Sequence, residues 1–172
     1  KYGQCIRFNE RDVRSTGRTS MGVIGMNLTD GDKVVGMQME SQGESLMIVS
    51  EKGLGKCTLA SEFTAQNRGG KGVKTLNITE KTGNLVAIKS VTDENDLVII
   101  NKSGITLRMK VADVRIMGRA TQGVRLINLE KRNDEIASVC KVLSETESDS
   151  SNSENIDSAS EINEAEASET TE

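Results

Sequence analysis

Residues Glu62–Val73 (EFTAQNRGGKGV) have a counterpart on either side, at Asp12–Val23 (DVRSTGRTSMGV) and at Asp113–Val124 (DVRIMGRATQGV). The copies lie 50 and 51 residues apart, and each runs from an acid, past an arginine, to a Gly-Val pair. Similarity at a fixed period is the signature of a repeat architecture. We therefore predict that the chain consists of three related units.

Other positions keep the same phase, which chance does not readily produce. Each unit also contains short aliphatic runs between turn signals, a pattern that predicts strands. In the middle unit the predicted strands are Leu46–Ser50, Lys56–Leu59, Val73–Ile78 and Leu85–Val91. The further positions that repeat at the same distances are Gly3, Gly53 and Gly104, and Leu28, Ile78 and Leu129.

The repeat length and the strand pattern together predict the fold class. Four short strands in about 50 residues, with weak helical periodicity, are typical of a blade in a propeller-like fold. We expect an all-β fold whose blades have four antiparallel strands each. Residues 1–43 would form a partial blade, and residues 44–94 and 95–143 would form two further blades. Because a closed propeller needs at least about four blades, these are expected to be part of a longer ring.

Charge divides the chain into two parts. Residues 144–172 contain ten acids and no Lys or Arg, and are otherwise mostly Ser, Thr, Asn and Ala. This composition predicts a disordered acidic tail, because it cannot bury enough apolar surface to offset the entropy of ordering. The chain's 26 acids then leave 16 in residues 1–143, against all 22 basic residues, a net charge of +6. A basic domain followed by an acidic tail indicates a polyanionic partner.

Several classes of function have no support in the composition. The chain has no His, and Cys5, Cys57 and Cys140 form neither a C-x-x-C pair nor a cluster, so we predict no metal site. Each Cys is instead expected to fill the core. No apolar run is long enough to span a membrane. The sequence contains no clustered acid–base set and no Walker-type phosphate loop, so no catalytic residue is assigned to this chain.

One heptapeptide carries a family resemblance. Gln66–Gly72 (QNRGGKG) resembles the gyrase A box, Q-R-R-G-G-R/K-G, and the outer copies resemble the companion repeats of the same domain. The resemblance covers residues 1–143 and points to the C-terminal domain family of bacterial DNA gyrase A subunits. It implies a six-bladed β-pinwheel that wraps DNA around its rim. Because Asn67 stands where the family has a base, and the family's essential box lies in its first blade, we interpret this heptapeptide as a related copy.

The resemblance implies that duplex DNA is the partner and that basic side chains on loops and hairpins bind its phosphates. The neighbouring glycines would let backbone N–H groups approach a phosphate. An alternative is that the aligned arginines pair with Asp12, Glu62 or Asp113 within their own blades. The predicted DNA-binding residues are Arg7, Arg14, Arg18, Lys56, Gln66, Arg68, Gly69, Gly70, Lys71, Gly72, Lys74, Arg108, Lys110, Arg115, Arg119 and Arg125.

The resemblance also implies properties of the whole enzyme. That enzyme would be an ATP-hydrolysing type IIA topoisomerase that negatively supercoils DNA and is cytoplasmic, associated with the bacterial nucleoid. ATP and Mg²⁺ would bind elsewhere, so no cofactor is expected in this chain, and the gyrase B subunit would join the rest of the A subunit in an A2B2 assembly. Two alternatives stay open: the corresponding domain of topoisomerase IV, and a propeller-type scaffold for protein interactions.

Overall fold

The computed structural model describes residues 1–129 and 133–144, and within them the chain folds into nine β-strands joined by turns. Single-turn 3-10 helices occupy the same place in each repeat, at Glu10–Asp12, Ala60–Glu62 and Val111–Asp113, and a fourth lies at Glu40–Gln42. The strands are β1 (Gln4–Cys5), β2 (Ser45–Ser50), β3 (Leu54–Leu59), β4 (Val73–Lys74), β5 (Leu85–Val91), β6 (Asn95–Asn101), β7 (Thr106–Lys110), β8 (Val124–Arg125) and β9 (Ile136–Leu143).

The strands form antiparallel sheets of two, four and three strands within the described residues, which confirms the all-β prediction. The four-stranded sheet has the order β5-β2-β3-β8, and the three-stranded sheet has the order β7-β6-β9. The sequence predicted Leu85–Val91 correctly as β5. It placed a longer strand at Val73–Ile78, but β4 ends at Lys74 because only Val73 and Lys74 pair with β1.

Each short Gly-Val strand pairs with the preceding repeat. β4 belongs to the second repeat, yet it pairs with β1 of the first through Gln4–Lys74 and Cys5–Val73. β8 belongs to the third repeat and pairs with β3 of the second in the same way. The fourth strand of the β5-β2-β3-β8 sheet is therefore donated by the next repeat. The sequence pattern predicted all four strands of a blade within one repeat and did not indicate this exchange.

The core lies between consecutive repeats. Alternate side chains of a strand point to opposite faces of its sheet, and β2 uses both faces. Met47 and Val49 pack with Leu97 and Ile99 of β6 in a cluster between the second and third repeats. Ile48 packs with Phe63 in a second cluster that also contains half-buried Cys5. A sheet buried on both faces couples each repeat to its neighbours, as in other repeat proteins.

The cysteines do not all fill the core. Cys57 is buried, and burial raises the pKa of its thiol to about 11, with a further contribution from the charge of Asp93. Cys140 is exposed, because its side chain lies on the outer face of β9 while its neighbour Val139 faces the core. The core prediction is therefore wrong for Cys140.

The predicted acidic tail lies outside the described residues, except for Ser144. The Ser144 backbone N–H donates to the Glu94 carbonyl at 3.1 Å. The Ser144 hydroxyl donates to the Asp96 carboxylate, so the last described residue is attached at the junction of the second and third repeats.

Candidate nucleic-acid interface

The box-type loop of each later repeat runs along the edge of the preceding hairpin. In the second repeat, Ala65 forms a parallel bridge with Arg7, and β4 follows on β1. In the third repeat, Ile116 bridges Cys57 in the same manner, and β8 follows on β3. These contacts cover backbone groups that an edge strand would otherwise expose. The sequence motif therefore closes the sheet of its neighbour.

Close backbone approach explains the glycine before each valine. Gly72 has φ +74°, and a Cβ atom there would lie 2.3 Å from the Cys5 carbonyl oxygen. Gly123 has φ +83°, and its Cβ would lie 2.6 Å from the Gly55 carbonyl oxygen. Only glycine reaches this conformation without strain and allows the backbones to approach so closely. Gly72 thus has a structural requirement that is independent of any phosphate contact.

The aligned arginines reach back to the preceding repeat. Arg68 donates from Nε to the Asp12 carbonyl at 3.1 Å and from Nη1 to the Ile24 carbonyl. Arg119 donates from Nη1 to the Lys74 carbonyl at 3.1 Å, and Lys74 is the position that aligns with Ile24. These contacts cross between repeats, so the alternative of an arginine–acid pair within one blade is wrong for both side chains. Arg119 also contacts an acid of the preceding repeat, since its backbone N–H donates to the Glu62 carboxylate at 3.0 Å.

Lys56 is not available at the surface, contrary to its place among the predicted DNA-binding residues. Its side chain is completely buried, and Nζ donates to backbone oxygens of Gly118, Arg119 and Thr121 in the third repeat. Burial lowers the pKa of Lys56 to about 8, against a smaller opposing effect of Glu62. A buried ammonium that is already satisfied by protein oxygens has no donor left to offer a phosphate. Lys56 therefore does not belong to the DNA-facing cations.

A second group of cations is exposed, and within the described part of the chain their side chains make no hydrogen bond or ion pair. Arg14 and Arg115 occupy aligned positions, each two residues after the end of a 3-10 helix. Lys74 lies on β4, at the edge of its sheet. The exposed group consists of Arg14, Arg18, Lys71, Lys74 and Arg115. Arg125 on β8, which has a partner within the protein, is also exposed and aligns with Lys74.

We call each box-type loop together with the Gly-Val segment that follows it an edge loop, which comprises residues 12–24, 62–74 and 113–125. The predicted bases outside the edge loops lie close to acids. Arg7 donates to the Glu40 carboxylate at 2.6 Å and to the Phe63 carbonyl at 2.9 Å. Arg108 pairs with Asp96 at 2.8 Å, and exposed Lys110 ends the same strand. Hydrogen bonds from Ser144 and from Arg108, with the nearby charge of Lys110, hold the pKa of Asp96 below its ordinary value. These bases have part of their charge compensated within the protein.

The other predicted members of the box lie beside the first repeat. Gln66 donates its backbone N–H to the Arg7 carbonyl at 2.8 Å. Gly69 donates to the Gly25 carbonyl at 2.9 Å, and the Gly70 carbonyl accepts from Asn27 at 2.9 Å. Sequence reasoning missed these contacts, because a backbone carbonyl leaves no signal in the sequence. The repeat phase was the available clue, since Ile24 and Lys74, which accept from the two aligned arginines, are 50 residues apart.

Residues 1–129 and 133–144 contain no group of three His, Cys, Asp or Glu side chains that could hold a metal ion. The same ranges include no helix with the length and apolar character needed to cross a bilayer.

Comparison with protein families gives a match that extends over most of the chain. The model of the DNA gyrase C-terminal domain, a β-propeller, matches residues 3–39, 44–92 and 95–140. Among curated proteins, the DNA gyrase A subunit of Ureaplasma parvum serovar 3 is 46% identical over 132 residues, which are 77% of this chain and 16% of that protein. The DNA gyrase A subunit of Staphylococcus aureus is 41% identical over 155 residues, 89% of this chain and 17% of that protein. The chain thus spans about a sixth of these relatives.

Solved structures show the same architecture. A DNA gyrase A C-terminal domain superposes with a TM-score of 0.77 at 32% identity, covering 83% of this chain and 48% of that domain. The C-terminal domain of a DNA topoisomerase IV superposes with a TM-score of 0.75 at 26% identity, covering 82% and 44%. The two scores differ little, so the backbone alone does not separate these relatives.

Proposed function

The chain belongs to the family of DNA gyrase C-terminal β-propeller domains, and on that premise we propose that it binds and wraps duplex DNA as part of a gyrase A subunit. The observation that supports this proposal is the recurrence of exposed cations on the edge loops. Each of the three repeats carries at least one of them, and together they are Arg14, Lys71 and Lys74, and Arg115 and Arg125. Arg18 aligns with Arg68 and Arg119, which bind the preceding repeat, and is not counted among them.

These positions suit a partner that is recognised by its backbone charge. Lys74 and Arg125 lie on the short donated strands, and β8 is at the opposite edge of its sheet from β5. Cations at regular spacing neutralise successive phosphates without reading bases. Bending stiff DNA costs of order 1–6 kcal/mol over 20–30 base pairs, and repeated phosphate contacts would offset that cost. We expect binding that is indifferent to sequence and steeply dependent on salt.

The bases that contact protein have a different role in this proposal. Arg68, Arg119 and Lys56 bind backbone oxygens of a neighbouring repeat, so they stabilise the array that displays the exposed bases. Arg7 and Arg108 are paired with acids and contribute less net charge to the surface. DNA binding is therefore assigned chiefly to the exposed bases of the edge loops.

The activity of the whole enzyme is proposed from the relatives. As a DNA gyrase A subunit, the complete protein would serve an ATP-hydrolysing type II topoisomerase that introduces negative supercoils. ATP and Mg²⁺ would bind outside this chain, and the B subunit would assemble with the rest of the A subunit as A2B2. Its place would be the bacterial cytoplasm, on the nucleoid. The chain itself would supply a DNA-binding domain and no catalytic group.

Charge reversal in the complete A subunit tests the assignment. We expect Lys71→Glu combined with Lys74→Glu to weaken binding to all duplex sequences at least about tenfold at roughly 0.1 M salt. The slope of log K against log salt should become shallower by roughly two, because about 0.9 ion is released for each phosphate contact. Affinity and slope are measured by fluorescence anisotropy across a salt series. Wrapping is measured as the linking-number change of circular DNA closed by a nicking-closing enzyme.

A matched control separates local contact from loss of net charge. Lys81→Glu combined with Lys52→Glu makes the same charge change on exposed turns away from the edge loops. Equal losses in both double variants would contradict the assignment to the edge loops. Wild-type protein that binds duplex DNA no better than a neutral propeller would favour a protein-interaction scaffold.

Topoisomerase IV is the second candidate, because its C-terminal domain superposes almost as well. The curated relatives at 41% and 46% identity are gyrase A subunits, which favours gyrase. The complete A subunit reconstituted with its B subunit should therefore introduce negative supercoils into relaxed circular DNA with ATP. Wrapping without supercoiling would favour the topoisomerase IV alternative.

A further inference from the structure

Lys56 lies at the centre of the contact between the second and third repeats. Its side chain has no exposed surface, although Lys is among the residue types that are most rarely buried. Nζ lies 2.8 Å from the Gly118 oxygen, 2.6 Å from the Arg119 oxygen, and 3.2 and 3.1 Å from the carbonyl and hydroxyl oxygens of Thr121. The three ammonium N–H groups therefore have four acceptor oxygens within hydrogen-bonding distance, and all four belong to one turn of the third repeat.

The aligned positions in the other repeats show that this ammonium is not required by the fold. Ile6 occupies the place of Lys56 in the first repeat, and Leu107 occupies it in the third. At the interface between the first and second repeats, Ile6 lies beneath Gly70, where a Cβ would come within 3.4 Å of its Cδ1 atom. An apolar side chain thus supports the equivalent turn there.

Burying an ammonium is costly, because the charge loses its hydration and a hydrophobic residue of similar volume often serves stability as well. A buried charge in a place where a neighbouring repeat uses isoleucine indicates a role in fixing geometry. The carbonyl of Arg119 accepts from Lys56, while the guanidinium of Arg119 donates to the Lys74 carbonyl. The loop of the third repeat is thereby held by the second repeat at both its backbone and its side chain.

We propose that Lys56 is a positioning residue for DNA wrapping. It fixes the turn Gly118–Thr121 and thereby the positions of Arg115 and Arg125 relative to Lys71 and Lys74. The inference rests on the proposed DNA-wrapping function, since it assigns Lys56 to the support of the DNA-facing loop and not to phosphate contact. Arg115 precedes the turn by three residues, and Arg125 follows it by four. Both cations adjoin the turn, so a movement of the turn acts on them against the backbone hydrogen bond that holds Arg115 to Cys57 and the strand pairing that holds Arg125 to Leu54.

Hydrogen exchange in the complete A subunit tests whether Lys56 holds the loop. Lys56→Met removes the donors at similar length, and Lys56→Ile copies the first repeat. The main reporter is the Met117 amide, which donates to the Cys57 carbonyl across the interface at 2.8 Å. We expect this amide to exchange about tenfold faster in both variants, which corresponds to about 1.4 kcal/mol. Amides of β6 should keep their wild-type rates.

Lys52→Met is the matched control, because Lys52 lies on the same hairpin, is exposed and loses the same charge. Exchange in this variant should equal that of wild type. Unchanged exchange at Met117 in both Lys56 variants overturns the proposal. Equal acceleration throughout β6 also overturns it, because Lys56 would then support the whole repeat and not the turn.

Wrapping distinguishes a positioning role from a merely structural one. At a temperature where circular dichroism shows every variant fully folded, Lys56→Met should reduce the linking-number change per bound protein, while Lys52→Met should not. Faster exchange with unchanged wrapping overturns the positioning role and leaves the proposed function intact. If wild-type protein produces no linking-number change, the proposed function itself fails, and the positioning role for wrapping fails with it, whatever the exchange rates.

Discussion

The contact between the first and second repeats and the contact between the second and third share one plan but differ in chemistry. In both, the later loop bridges the earlier hairpin, at Arg7–Ala65 and at Cys57–Ile116. In both, an arginine of the loop donates to a carbonyl of the preceding repeat. The shared plan therefore consists of backbone bridges and one arginine contact.

The difference lies beneath the loop. At the first contact the loop is glycine-rich, Gly69 donates to Gly25 at 2.9 Å, and apolar Ile6 lies below Gly70. At the second contact the loop carries Thr121, and Lys56 binds its carbonyl and those of its neighbours from below. The loop and the hairpin beneath it thus differ together from one contact to the next. Each loop is matched to the hairpin that it covers, so the interface between repeats is the unit that packs.

Among the substitutions, the largest loss of stability is expected where a backbone contact common to both repeat interfaces is disrupted. Gly72→Ala places a methyl group 2.3 Å from the Cys5 carbonyl oxygen at φ +74°, so strain and collision act together. We expect a loss of at least about 3 kcal/mol in the free energy of unfolding, measured by urea denaturation. Gly69→Ala is the matched control, because Gly69 lies in the same loop at φ +84° but the nearest atom to its Cβ position, the Ile24 carbonyl oxygen, is 3.7 Å away.

The control should lose only about 1 kcal/mol of stability, which is the cost of placing a Cβ in the left-handed conformation. Gly123→Ala should behave as Gly72→Ala does, since its Cβ meets the Gly55 carbonyl oxygen at 2.6 Å. A small and equal effect at all three glycines would show that backbone approach does not stabilise the repeat contacts.

The repeat contacts also show how far the sequence predicts the fold. The phase of Gly72 and Gly123, and the aliphatic runs that became β2 and β5, were sufficient for an all-β repeat fold. The sequence did not predict that the Gly-Val strand pairs with the preceding repeat. A strand of two residues has the same pattern whichever hairpin it joins, so the partner is decided by packing between repeats and not by local propensity.

A smaller effect than at Gly72 is expected at Arg68, where the planar geometry of the guanidinium matters more than its charge. Arg68 uses Nε and Nη1 for two carbonyls of the first repeat, and a lysine ammonium does not reproduce this planar arrangement. Arg68→Lys should therefore lose about 1 kcal/mol of stability, nearly as much as Arg68→Met. Thermal unfolding of both variants measures this loss.

DNA binding by the same variants tests the alternative that Arg68 contacts phosphate. If Arg68 were mainly a phosphate ligand, Arg68→Lys would keep both the affinity for duplex DNA and its salt slope, and it would leave stability near the wild-type value. Arg119→Lys is the comparison at the second contact. It should lose less stability, because the Arg119 side chain makes one such bond and the residue's other contacts, with Glu62 and Lys56, come from its backbone.

The basic residues show how much of the candidate DNA-binding site could be predicted from the sequence. Arg14, Lys71, Lys74 and Arg115 were predicted as DNA-facing bases and are exposed. Lys56 was predicted with them, because basic side chains on the hairpins were expected to face DNA, but it is buried. Its burial depends on the Gly118–Thr121 turn, which is more than about 60 residues away in the chain. No local pattern records such a contact.

The difference between Lys56 and Ile6 should also appear as a pH dependence of stability. Burial lowers the pKa of Lys56 to about 8, whereas an unfolded lysine keeps its ordinary value of 10.5. Between these values the unfolded chain binds more protons at this site, so the contribution of Lys56 to stability rises with pH. Glu62 opposes the shift, and the Arg119 guanidinium is directed to the Lys74 carbonyl.

Urea denaturation of wild type and Lys56→Met from about pH 7 to pH 10.5 measures this dependence. Wild type should gain stability relative to the variant above about pH 8, because the neutral amine no longer carries the cost of a buried charge. Lys52→Met should show no such trend, since Lys52 is exposed in the folded protein. A difference between wild type and Lys56→Met that stays constant over this range would mean that Lys56 keeps its ordinary pKa, and that the carbonyl oxygens of the third repeat fully replace the hydration lost on burial.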